Sequence, residues 1–97
     1  MTYPTLERMA SGHHSILLEL CSADDFPKIA AKWALVLGAI LNPPIFRPDQ
    51  TQLEAAIAGS PFWFAWDVWQ AAASLEPRDA RAARMIPDLL AVAMRAT

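Results

Sequence analysis

The chain has 97 residues, with 8 Lys and Arg against 10 Asp and Glu and a formal net charge of −2. A chain this short supports one core, with about 65% of its unfolded surface buried, so a single domain over 1–97 is expected. The acidic balance excludes a generally basic nucleic-acid binder, and a single cysteine excludes a disulfide scaffold.

Hydrophobic residues make up 55% of the chain and charged residues 19%, against a usual charged share of about 25%. A small domain cannot hide that much apolar area, and soluble monomers rarely carry a large contiguous apolar patch. The composition therefore points to self-association, a partner or an apolar ligand. Nineteen Ala and 11 Leu stand against 3 Val, 6 Ile and 4 Thr. That balance favours helix over strand, and eight Pro cut the chain into short pieces.

In chain order, Thr5 to Ser11 reads as a first short helix, with Thr5 as N-cap and Gly12 as its stop. His13 to Ser22 reads as an amphipathic second helix, with Ile16, Leu17, Leu18, Leu20 and Cys21 on one side. Asp24, Asp25 and Pro27 are start signals for a third. This helix, about 26–41, is apolar on nearly every side after Lys32 and is expected at the centre. Its nine-residue apolar core is far short of the ~20 residues a membrane span needs. Asn42-Pro43-Pro44 ends it, and Ile45 to Pro48 reads as extended. Thr51 to Glu54 matches a capping box and opens a short fourth helix that stops at Gly59. Ser60-Pro61 opens a fifth, to about Leu75, which holds three of the four Trp. The last helix runs from about Pro77 to Ala96, and its wheel phase continues across Pro87, so one kinked helix is expected.

Few residues carry a chemical signal. His13 and His14 point about 100° apart on a helix, and Cys21 lies about 10.5 Å along from His14. They form neither a metal site nor a nucleophile–base pair, and no ligand-spaced motif occurs. Three Gly cannot supply a phosphate-cradling loop. On the wheel of the fifth helix, Phe62, Trp66, Trp69 and Ala73 make an apolar stripe assigned to the core. Trp63, Asp67, Gln70 and Ser74 lie opposite. Arg81, Arg84 and Arg95 line one face of the last helix. Guanidinium forks there match carboxylates or phosphates, while Asp88 can pair with Arg84 at i, i+4.

The expected fold is all-α, a bundle of five to six short helices around the central helix at about 26–41. The expected function is that of a non-enzymatic protein-interaction module, an adaptor, inhibitor or assembly chaperone of bacterial or phage type. It would bind through Trp63, Asp67, Gln70, Arg81, Arg84 and Arg95. The partner is another protein or a second copy; no nucleic acid, membrane span, metal or cofactor is expected. The lone Cys and the lack of a signal-like N-terminus point to the cytoplasm. The alternative is a small-ligand binder or enzyme with a pocket of Trp33, Trp66 and Trp69, closed by His13 or Asp67.

Overall fold

A computed structural model describes residues 2–42 and 51–97. Among these residues the expected helical bundle is replaced by an α+β fold, one six-stranded antiparallel sheet carrying two helices. The strands are β1 (Thr5–Arg8), β2 (His14–Leu20), β3 (Ala39–Asn42), β4 (Gln52–Ile57), β5 (Ser60–Asp67) and β6 (Ala72–Pro77). The helices are α1 (Phe26–Leu37) and α2 (Ala80–Arg95). Sheet order is β1-β2-β6-β5-β4-β3. After β2 the chain crosses the sheet as α1, forms the far edge as β3, and returns as a β3-β4-β5-β6 meander that closes against β2. The extended reading of Ile45 to Pro48 falls outside the described residues.

Four of the six expected helices are therefore strands, and the reason is visible residue by residue. In β4, Leu53, Ala55 and Ile57 are buried while Gln52 and Glu54 are exposed. That alternation is the period of a half-buried strand, and it overrides the helix preference of Ala and Leu. The Ile57–Ser60 pair closes a two-residue hairpin loop, with Ala58 at φ 50° and Gly59 at φ 78°. Two positive φ values are what a type I′ turn needs to match strand twist. Gly59 thus starts a hairpin and stops no helix.

α1 begins where the sequence signals it, whereas α2 begins three residues after the expected Pro77, which ends β6 instead. Pro27 sits in the first turn of α1 after Asp25. The helix stops four residues earlier than expected because Gly38 takes the left-handed C-cap conformation, φ 68°. Ala39–Asn42 is then free to be a strand. α2 begins at Asp79, whose carboxylate accepts from the Ala82 N–H at 2.7 Å, and runs as one helix through Pro87. Pro87 lies on the exposed side, where the carbonyl it leaves without a donor can meet water.

The two helices share one face of the sheet. Ala82, Ile86, Leu89 and Ala93 of α2 and Phe26, Ala30, Trp33, Ala34 and Leu37 of α1 join a single buried cluster. The sheet contributes Ile16, Leu18, Phe62, Phe64, Ala73 and Leu75, among others. Strand parity puts Glu7, Ser15, Trp63, Asp67, Ser74 and Glu76 on the other face. Among the described residues, no helix is long and apolar enough to cross a membrane.

Candidate functional site

The segment read as an aromatic helix is the β5–β6 hairpin. Helix and strand periods agree at a spacing of four: 40° apart on a helix, in phase on a strand. Phe62 and Trp66 accordingly face the helices, and Trp63 and Asp67 face away, as the wheel has them. Trp69, seven residues past Phe62, lies beyond the end of β5 at Asp67, in the turn, where neither period applies. Trp69, assigned to the core with Phe62, is instead 93% exposed at the hairpin tip. Val68 beside it is 65% exposed, and Leu20, paired with Ala72 at the hairpin's foot, is 59% exposed.

This tip is held in shape. Asp67 Oδ1 accepts from the backbone N–H of Trp69 at 2.9 Å and of Gln70 at 3.1 Å, a side-chain mimic of a backbone turn. Trp66, at the base, donates its indole N–H to the Cys21 carbonyl at 2.9 Å, and the Cys21 N–H donates to the Ala71 carbonyl. Asp67 and Gln70 are thus turn-builders beneath an exposed indole. Burial pushes the Cys21 thiol up, an effect that the nearby Glu19 and Asp25 charges reinforce.

The six residues singled out from sequence do not form one surface. Trp63 stands about 13 Å along β5 from Asp67, half-buried, with the Arg78 guanidinium 4.2 Å from its ring centroid. Its ladder neighbour Glu76 has its carboxyl pushed up by burial, then by the charges of Asp67 and Glu7. Arg81, Arg84 and Arg95 are exposed on α2, across the sheet from Trp63. Among the described residues, Arg84 and Asp88 form no ion pair; the pair present joins Lys32 to Glu19.

Glu19 is a residue that the sequence reading passed over. The β2–β6 register shifts between Leu17 and Glu19. This bulge turns Glu19 toward the helices, where a regular strand would point it away. Its Oε1 accepts from the Trp33 indole N–H at 2.7 Å and from Lys32. Glu19 and Lys32 rim a half-open cavity of about 310 Å³ over Leu18, Trp33 and Val36. Trp66 and Trp69 do not line it, and Trp69 stands exposed at the hairpin tip, so among the described residues the three Trp of the expected pocket are not brought together. His13 lies in the β1–β2 turn and His14 opens β2. No three His, Cys, Asp or Glu side chains gather as metal ligands among the described residues.

A second feature absent from the sequence reading is the β3 edge. Leu35 on α1 is 87% exposed and Ile40 on β3 is 74% exposed. They flank an apolar groove of about 460 Å³. The wheel of α1 held this signal: its buried stripe of Phe26, Ala30, Trp33, Ala34 and Leu37 leaves Leu35 outside.

Compared with known proteins, the chain matches no family model, no curated protein and no solved structure.

Proposed function

We propose that this chain is a non-enzymatic protein-interaction module that docks through the β5–β6 hairpin tip. One observation carries the reading: Trp69 is almost fully exposed on a turn whose Trp69 and Gln70 N–H groups both donate to Asp67. A large indole left in water is costly, and Trp is enriched among residues that dominate binding energy. A turn bonded in this way loses less ordering entropy on docking. Val68 and Leu20 widen the contact, and Asp67 gives its flank an acidic character. The fitting partner is a protein with an apolar pocket and a basic rim. The adaptor, inhibitor and assembly-chaperone roles all use such a contact.

The test compares wild type with Trp69→Ala in affinity capture from the native lysate. Because Trp69 packs on little, the substitution should leave stability within about 0.5 kcal/mol. It should weaken the captured complex about 30-fold. Equal recovery of the same partner by both proteins would remove the hairpin tip from the interface. Arg84→Glu in parallel tests the face of α2.

A second reading rests on the bulge at Leu18, which aims Glu19 at the cavity over Trp33. Bulges often re-aim side chains at functional sites, and the cavity volume is at the low end for small-ligand pockets. A stoichiometric small molecule in native mass spectra of the purified protein, lost in Glu19→Gln, would favour this reading over the first.

A further inference from the structure

We propose that the edge of the sheet at β3, unpaired on its outer side among the described residues, is a self-association site, where two copies pair antiparallel into one twelve-stranded sheet. This goes beyond the hairpin-tip reading and uses different residues. Among the described residues, β3 pairs only with β4, so its outer backbone groups are unused by the sheet. An unpaired edge is a template for another strand.

The two edges of the sheet are built differently. β1, at the other end, carries Glu7 and Arg8, the charges with which edge strands resist pairing. β3 reads Ala-Ile-Leu-Asn and has none. The groove beside it, lined by Ala31, Ala34, Leu35, Ala39, Ile40 and Leu41, is likewise uncharged. A two-fold contact sets a patch against itself. A charged patch would repel its own copy, whereas a neutral apolar one is self-complementary.

The placement of the exposed side chains selects the occupant. Ile40 pairs with Ala56 on the sheet face away from the helices. Leu35 belongs to the helix layer on the opposite face. A globular partner resting on one face covers one of them. A strand continuing the sheet covers Ile40, but Leu35 stands a layer higher, about 10 Å from the sheet. A second copy supplies both layers at once, a strand to extend the sheet and its own α1 to meet Leu35. With the two-fold axis normal to the sheet at Ile40, the helices of both copies lie on one side, each Ile40 meets its counterpart, and Ala39 lies opposite Leu41.

The test is the mass of the full chain in solution, by sedimentation velocity over a concentration series, with amide hydrogen exchange. Wild type should reach twice 10.7 kDa, with slowed exchange confined to β3. Ile40→Lys and Leu35→Glu, both at exposed positions, should each weaken the dimer more than about tenfold and keep the far-ultraviolet circular dichroism of wild type. Leu6→Lys, on the opposite edge, should remain dimeric. A wild-type chain monomeric at about 100 µM would overturn the proposal. So would a dimer that survives both substitutions, or one whose β3 amides exchange as fast as the monomer's.

Discussion

Ala58 holds a positive φ, 50°, in the turn between β4 and β5. An L-residue with a Cβ pays roughly 1–2 kcal/mol in that region, and Asn tolerates it better. Ala58→Asn should therefore stabilise the fold by about 0.5–1 kcal/mol, read as a higher denaturant midpoint at unchanged slope. An unchanged or lower midpoint would refute the strained-turn account. Glu76 makes a second test at this scale. Its carboxyl is pushed up by burial and by Asp67 and Glu7, so the folded state holds the proton more tightly than the unfolded chain. The associated stability is present below the unfolded value, near 4.5, and is lost as pH rises through the folded one. Glu76→Gln should thus raise the melting temperature by a few degrees at pH 7 and by less at pH 4. An equal shift at both pH values would mean that charge is not the cause.

Elements differ in how much of their ends the sequence announces. Asp79, three residues before Ala82, caps α2 through its carboxylate. Asp79→Ala should cost about 1 kcal/mol, or about 4–8 °C in melting temperature, measured by thermal denaturation. Loss of less than about 1 °C would show the cap to be idle. The start of α1 is legible because Pro27 acts locally, within the first turn, whereas α2 opens at Asp79 and the expected start, Pro77, belongs to β6. The strands are less legible. β4 and β6 are built largely from Ala and Leu, and strand preference depends on packing against neighbours more than on the residue itself. In β6, Ala72 and Ala73 are fully buried, so small side chains there serve packing and not helix formation. The burial alternation of Leu53, Ala55 and Ile57 was the available strand signal, and the capping-box match at Thr51 to Glu54 obscured it.

At the scale of the whole molecule, a two-layer arrangement leaves one helix layer on a six-stranded sheet. The excess apolar content does reach the surface, and it gathers at defined places. One is the hairpin tip of Val68 and Trp69, and another is the β3 edge with Leu35 and Ile40. The site residues expected from sequence scatter instead over the hairpin, the face bearing Trp63, and α2. Six residues chosen by wheel phase could share a surface only if their helices existed and lay side by side.

The sequence by itself determined the apolar excess, the start of α1 at Phe26-Pro27, the continuity of α2 through Pro87, and the opposition of Phe62 and Trp66 to Trp63 and Asp67. Each is a local property or a spacing of four, which helix and strand treat alike. The tertiary structure alone decided that Ile16, Leu53 and Phe64 sit in strands, that a bulge turns Glu19 inward, and that Trp69 and Ile40 face water. Those outcomes depend on hydrogen bonds between segments far apart in the chain, such as β2 with β6. Pairing energy of that kind is not encoded in any single window of residues.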